Sequence, residues 1–147
     1  MTKSKRFEPI REIAGASANE ASRFMSEAGN RVAELEKQLD QLKVYREDYV
    51  RNLLPDAGAI DVLKLQNYRT FLDRLGDALR QHEHTLQSAR AEFERRRAQW
   101  SEKKIEAESL SRAVDRFRSD ERRVQEQREQ REGDDIALRV SRATPRE

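Results

Sequence analysis

The sequence has no cysteine, little glycine or proline, and no long apolar run. Among its 147 residues there are no Cys, five Gly and three Pro. Without cysteine the chain can form neither disulfides nor thiolate metal sites, an absence that is typical of the cytosol. No apolar stretch reaches the ~18 residues that a membrane-spanning helix needs, and the first residues contain no signal-peptide core. We therefore expect a cytoplasmic protein without a membrane span.

Residues that could carry out catalysis or bind a metal are also scarce. The two histidines, His82 and His84, lie two positions apart, about 200° around a helix, so they cannot bind one metal ion from the same face. There is no phosphate-binding glycine loop and no nucleophile elbow. A narrow helical rod also offers no concave pocket that would shift the pKa values of paired acids. We expect no enzymatic activity, no cofactor and no metal site.

Charge, in contrast, is abundant and balanced. Charged residues make up 39% of the chain and apolar residues 35%, and the formal net charge is only +2. Interleaved acidic and basic residues are typical of solvated helix faces, and the small apolar fraction excludes a thick globular core. The strongest local exception is the basic group Arg95, Arg96, Arg97, Lys103 and Lys104. This group leaves open an arm that binds nucleic acid.

Two apolar stripes at heptad spacing predict the fold. The first stripe has one polar slot, Arg46, and contains Ala14, Ala18, Ala21, Met25, Ala28, Val32, Leu35, Leu39, Leu42, Tyr49 and Leu53. The second stripe runs from Leu65 to Val124 with four polar slots. Stripes with a mean spacing of about 3.5 residues indicate two helices that coil on each other. We predict an all-α protein in which two long helices form an antiparallel coiled-coil hairpin with a longer second helix.

Proline and glycine mark the ends of the predicted elements. Pro55 stops the first helix, Gly58 allows the turn, and Gly133 can end the second helix. The predicted segments are a disordered N-terminus over 1–6, a hairpin over 7–132 with helices at about 9–53 and 61–132 and a turn at 54–60, and a disordered tail over 133–147.

The unequal helices predict an exposed apolar row. Folding back about residue 57 sets residue i opposite roughly 114 − i, so that Leu35 faces Leu79. Beyond about Ala107 the second helix then has no partner, although its stripe continues through Leu110, Val114, Phe117 and Val124. Burying such side chains contributes roughly 1.5–3 kcal/mol each, which favours docking of this row into another protein. The alternative is a frayed, highly charged helix end.

A second exposed surface is predicted beside the turn. One flank of the seam is charged or small, whereas the other flank carries aromatic residues. In an antiparallel pair the flanking rows of both helices fall on one side of the seam. The resulting surface contains Gln38, Leu42, Tyr45, Tyr49, Phe71, Leu75, Ala78 and His82. Grouped exposed aromatics are typical of protein interfaces. The alternative is that Leu42, Tyr49 and Leu75 fill the seam while Tyr45 and Phe71 lie over it.

The residues on both sides of the turn form a more particular pattern. It reads Leu42-x-x-Tyr45-Arg46-x-x-Tyr49-x-x-x-Leu53, a short turn, then Asn67-Tyr68-x-x-Phe71-Leu72-x-x-Leu75 and His82. This pattern resembles the FliJ family of flagellar export proteins, and length, helix order and loop position agree along nearly the whole chain. Members of that family are similar in shape to the central stalk of rotary ATPases.

The resemblance implies a component of the flagellar type III export apparatus. Such proteins insert the end that bears both termini into the hexameric export ATPase and promote its assembly and ATP hydrolysis. Their turn-bearing region contacts the cytoplasmic domain of the membrane export-gate protein, and they also handle export chaperones. By this resemblance the chain is monomeric when free and binds no nucleic acid. It lies at the inner face of the cell membrane at the flagellar base and meets the membrane only through the apparatus.

The resemblance also implies which residues bind each partner. The gate-binding positions of the family map onto Gln38, Leu42, Tyr45, Tyr49, Phe71, Leu75, Ala78 and His82. The implied ATPase contact contains Phe7, Ile10, Ile13, Leu110, Val114 and Phe117. Three alternatives remain at this point: the equivalent stalk of a virulence type III secretion system, a basic coiled-coil arm that binds nucleic acid, and a homo-oligomeric cytoskeletal coiled coil.

Overall fold

The protein consists of two long helices. A computed structural model describes residues 1–53 and 62–144. In this part of the chain α1 spans Lys3–Leu53, α2 spans Val62–Ala143, and there is no strand. The two helices pack against each other, and α2 is the longer, with 82 residues against 51 in α1. The predicted all-α pair with a longer second helix is confirmed. The predicted turn at 54–60 lies outside the described residues.

Contacts divide the chain into two units. The terminal unit combines Met1–Asn19 with Glu102–Glu147, and the central unit is Glu20–Ser101. Each unit contains a segment of both helices. Within each unit, residues later in α1 contact residues earlier in α2. The helix segments in each unit therefore run antiparallel.

The core of the central unit is the predicted heptad stripe. Its buried side chains are Leu35, Leu39, Leu79, Leu86 and Ala89, with Val32 and Leu42 packed against them. Steps of alternately three and four residues place such side chains on one face of each helix, where they meet the partner helix. The stripe thus forms a thin seam between the helices, as its spacing predicts.

Gly29 lets the α1 backbone approach an aromatic ring of α2. A Cβ atom at this position would lie 3.2 Å from Cε2 of Phe93. No glycine in the described part of the chain has a positive φ angle, so Gly29 is not needed for a turn. Gly29 instead leaves space for the Phe93 ring, because it has no side chain where the two helices pack closely.

The beginning of α1 corrects the sequence prediction. The helix starts at Lys3 rather than near Pro9, so residues 3–6 of the segment predicted as disordered over 1–6 are helical. Pro9 lies inside the helix, where it lacks a backbone donor. Tertiary contacts of Ser4 and Phe7 with α2, described below, offset this loss.

The end of α2 also differs from the sequence prediction. The helix passes through Gly133 and ends at Ala143, so the described part of the tail predicted as disordered over 133–147 is helical up to that residue. A glycine that caps a helix needs a positive φ angle, which no described glycine adopts. Within a helix, glycine costs only about 1 kcal/mol relative to alanine, and the helix-forming neighbours of Gly133 offset it. Residues 145–147 lie outside the described chain.

Candidate protein-binding surfaces

Four aromatic side chains from both helices meet in the central unit. The ring centroids of Tyr49 and Phe71 lie 4.4 Å apart, and those of Tyr49 and Tyr68 lie 5.5 Å apart in a stacked pair. Tyr45 meets Phe71 edge-on at 6.3 Å. Each such pair contributes about 0.5–1.5 kcal/mol beyond the burial of its surface. The aromatic cluster of Tyr45, Tyr49, Tyr68 and Phe71 therefore holds α1 and α2 together at this level.

The members of the aromatic cluster differ in exposure. Tyr45 remains 52% exposed, whereas Tyr49, Tyr68 and Phe71 are half-buried. Tyr45 contacts both Tyr49 and Phe71, so its ring is held by two partially buried neighbours. An aromatic side chain that is both exposed and supported in this way loses little conformational entropy on binding. Tyr45 is the part of the cluster best suited to contact a partner.

A hollow adjoins this tyrosine. It has a volume of about 340 Å³ and is lined by Gln38, Gln41, Leu42, Tyr45 and His82. The two amides and the imidazole can form hydrogen bonds, while Leu42 and the tyrosine ring supply apolar surface. Such a depression can accept one inserted side chain of a partner protein, which is how interface hot spots commonly bind.

The structure brings most of the predicted gate-binding residues together. Six of the eight are joined by ring contacts or by the hollow: Gln38, Leu42, Tyr45, Tyr49, Phe71 and His82. Leu75 is only 7% exposed and fills the seam, in accord with the alternative considered for it. Ala78 is half-buried and lines neither feature. Tyr68 belongs to the apolar stripe of the second helix, but the sequence gives no signal of its stacking on Tyr49.

In the terminal unit α1 covers most of the row of α2 that was predicted to be bare. Counting from the turn sets Phe7 opposite residue 107, but its ring lies 5.3 Å from that of Phe117. The ammonium group of Lys3 lies 4.9 Å from the same ring, and Val114 is completely buried. The prediction that α2 lacks a partner beyond about Ala107 is therefore wrong as far as Glu121, whereas Val124, the last residue of the predicted row, is exposed. Specific contacts, rather than equal residue counts from the turn, set the register in this unit.

A serine and a glutamate fix this register. The Ser4 hydroxyl donates to Oε2 of Glu121 at 2.6 Å, and the Ser4 backbone N–H donates to Oε1 at 3.0 Å. These hydrogen bonds, the one from the hydroxyl first, lower the pKa of the Glu121 carboxyl below its ordinary value. The carboxylate thus caps the first turn of α1, where the helix dipole also favours negative charge. The sequence gives no signal for this pair, because capping patterns join neighbours in sequence and these two residues lie 117 positions apart.

Ion pairs on the surface of the terminal unit agree with the same register. Arg118 pairs with Glu8 at 2.8 Å, and Arg11 lies 3.8 Å from Asp115. Each exposed pair contributes only about 0–1 kcal/mol, so these contacts select a register more than they stabilise it. Arg118 therefore meets a carboxylate of its own chain.

The predicted ATPase-binding residues separate into a packed set and an exposed set. Val114 is inaccessible, and Phe7, Leu110 and Phe117 are half-buried. Ile10 and Ile13, in contrast, are 46% and 71% exposed on α1. The two isoleucines are the apolar side chains of this set that a partner can reach without opening the terminal unit.

The last part of α2 is exposed throughout. Every described residue after Glu121 is exposed, including the apolar Val124, Ile136, Leu138 and Val140. In the described chain, α1 therefore provides no cover for α2 beyond this glutamate.

The basic group that suggested nucleic-acid binding is largely neutralised by its own helix. Arg95 and Arg96 both pair with Glu92, and Arg97 pairs with Glu94. The guanidinium of Arg96 also lies 5.2 Å from the Phe24 ring. A nucleic-acid site needs cations that are free to replace the counterions of phosphate groups. These three arginines are already paired with carboxylates of their own helix.

Neither helix, within the residues described, is long and apolar enough to cross a membrane. A family model described as the flagellar FliJ protein matches residues 3–146. The chain is also similar to a flagellar FliJ protein of Salmonella typhi, with 25% identity over 139 residues that cover 94% of this chain and 95% of the relative. No solved structure matches the chain.

Proposed function

The chain belongs to the FliJ family of flagellar export components, and from this premise we propose that it is the coiled-coil stalk of the export apparatus. In this role it binds and activates the hexameric export ATPase and links it to the membrane export gate. It also handles export chaperones during flagellum assembly. The stalk is held at the inner face of the cell membrane by its protein partners.

The aromatic cluster is the observation that carries the proposed gate contact. Tyr45 is half-exposed but supported by Tyr49 and Phe71, and it adjoins a hollow of about 340 Å³. Rigid aromatic anchors next to a concave site are what protein interfaces use as hot spots. The export gate would insert a side chain into the hollow and pack on the ring of Tyr45.

The terminal unit supports the proposed ATPase contact. Ile10 and Ile13 are exposed on α1, while the packing of Phe7 on Phe117 keeps that helix segment against α2. Two exposed isoleucines on a well-anchored helix can pack against an apolar lining of the ring. A single helix pair cannot contact six equivalent subunits alike, so its binding favours different states in different subunits. This asymmetry is the proposed means of activation.

The alternatives are less well supported. Pairing of Arg95, Arg96 and Arg97 with glutamates disfavours a nucleic-acid-binding arm. The family match is to a flagellar protein, which favours the flagellar over the virulence export apparatus. The exposed part of α2 after Glu121 leaves room for a homo-oligomeric coiled coil, which sedimentation of the free chain would reveal as a stable dimer.

Stimulation of ATP hydrolysis tests the ATPase contact. The variant I10S/I13S removes both exposed isoleucines, and V44S removes a β-branched apolar side chain that is 54% exposed in the central unit. We expect I10S/I13S to lose most of the stimulation of the purified export ATPase while V44S keeps it. Equal stimulation by I10S/I13S and the wild type would refute the contact, provided that both variants retain the helical content of the wild type.

A further inference from the structure

The central unit has a second concave surface that the proposed function does not use. A groove of about 750 Å³ lies between the helices, with Lys43, Arg46 and Arg51 on the α1 side and Gly76, Leu79 and Arg80 on the α2 side. It shares no residue with the aromatic cluster or with the hollow beside Tyr45. Any role of this groove is therefore separate from the proposed gate contact.

Two residues keep the groove open. Arg46 occupies the polar slot of the α1 stripe, where an apolar side chain would instead pack into the seam. Gly76 provides no side chain on the facing helix. A Cβ atom there would meet only the guanidinium nitrogens of Arg80, at 3.7 and 3.9 Å. A Cβ atom at position 76 would thus meet no backbone atom, and a larger side chain built on it would occupy part of the groove.

Within the described residues, the cations of the α1 side are not paired with acids. In residues 1–53 and 62–144, no carboxylate lies within ion-pair distance of Lys43, Arg46 or Arg51. All three side chains are exposed. They differ in this respect from Arg95, which has a glutamate one helical turn away, and from Arg80, which pairs with Asp77. In the part of the chain that the structure describes, the groove therefore presents positive charge that no ion pair neutralises.

We propose that this groove binds an acidic amphipathic helix of a partner protein. The three cations extend over eight residue steps of α1, about 12 Å, which matches two turns of a helix that carries carboxylates at i, i+4 and i+8. Val50 and Leu79 supply an apolar floor on which small apolar side chains of the same helix can pack. Helix-in-groove docking with complementary charge at the rim is a common recognition mode.

The groove suits a protein better than a polyanion. Two carboxylates, Glu47 and Glu83, also line it. They would repel the continuous phosphate charge of a nucleic acid or an anionic membrane, whereas a helix can place neutral or basic residues beside them. The mixture of free cations, isolated acids and apolar floor therefore favours a protein segment.

Binding of a synthetic peptide tests the proposal. The probe is a fluorescent helical peptide with Glu at i, i+4 and i+8 and Ala or Leu on the adjoining face, and a matched peptide carries Gln in place of Glu. We expect the full chain to bind the Glu peptide and to bind the Gln peptide roughly tenfold more weakly, since each exposed pair contributes up to about 1 kcal/mol. Failure of the wild-type chain to bind the Glu peptide would overturn the proposal.

Variants then locate the binding site. The charge reversal K43E/R46E should weaken binding of the Glu peptide by about tenfold or more, for the same electrostatic reason. The control K37E/R74E makes the same change in net charge at two exposed residues outside the groove and should bind like the wild type. Equal weakening by both variants would mean that net charge, rather than this groove, causes binding.

A third variant tests shape without a change in charge. G76L occupies part of the groove, and because glycine destabilises a helix interior, its melting temperature should equal or exceed that of the wild type. We expect G76L to bind the Glu peptide several-fold more weakly. Unchanged peptide binding by G76L would contradict the proposal. So would an oligodeoxynucleotide or phosphatidylglycerol vesicle that binds more tightly than the peptide and is released by K43E/R46E.

Discussion

The rings of Tyr49 and Phe71 lie 4.4 Å apart and join α1 to α2 beside the half-exposed Tyr45. This arrangement divides the aromatic cluster into residues that hold the helices together and one residue that faces outwards. The division agrees with the heptad stripe, which contains Tyr49 but not Tyr45, and with the alternative in which Tyr45 lies over the seam. It predicts that the two tyrosines respond differently to substitution.

Replacement of each tyrosine by alanine tests the division. Y49A removes ring contacts to Tyr45, Tyr68 and Phe71 and should lower the free energy of unfolding by about 2 kcal/mol. Y45A removes a ring that is 52% exposed and should lower it by less than about 1 kcal/mol. Urea unfolding followed by circular dichroism measures both values. Equal destabilisation by the two variants would show that Tyr45 is as structural as Tyr49.

The capping of Ser4 by Glu121 makes stability depend on pH. The pKa of Glu121 is lowered in the folded chain, so its carboxylate contributes stability that is fully present above the ordinary glutamate pKa. This contribution is lost as the pH falls through about 4.3 towards the lower pKa of the folded state. E121Q should therefore melt below the wild type at pH 7, and the difference should shrink in acid. E126Q, a change at an exposed glutamate, is the control; an E121Q difference that is no larger than that of the control at pH 7 would contradict the cap.

Two valines test the register of the terminal unit. Val114 is completely buried and Val124 is 56% exposed, so the same substitution probes one site that α1 covers and one that it does not. V114A should destabilise the chain by roughly 1–3 kcal/mol, and V124A by less than about 0.5 kcal/mol. Thermal or urea unfolding of both variants provides the comparison. Similar small effects at both positions would show that α1 does not cover Val114, and would contradict the register described here.

The helices and the seam of the central unit could be predicted because they depend on a repeated local pattern. The 3-4 spacing from Val32 to Leu42 and from Leu75 to Ala89 places apolar residues on one face wherever the helix begins. The resemblance around Tyr45 and Tyr68 also depended on spacing, and it is confirmed by the family match over residues 3–146.

The register of the terminal unit could not be predicted, because no local pattern determines it. It depends on contacts such as Phe7 with Phe117 and Ser4 with Glu121, which join residues more than 100 positions apart. The helix ends were misplaced for a related reason. Pro9 and Gly133 are helix breakers by local propensity, about 3 and about 1 kcal/mol less favourable than alanine, but tertiary contacts and helix-forming neighbours offset these costs.

Affinity for the two proposed partners tests the central claim, that gate and ATPase bind separate surfaces of this chain. The variant Q38A/Y45A alters two exposed residues beside the hollow and should preserve the fold. Calorimetric titration should show an affinity for the cytoplasmic domain of the export gate that is reduced by about tenfold or more, since exposed aromatic anchors are typical hot spots. Stimulation of the export ATPase by the same variant should equal that of the wild type. Unchanged gate affinity, or an equal loss of both activities, would contradict the account.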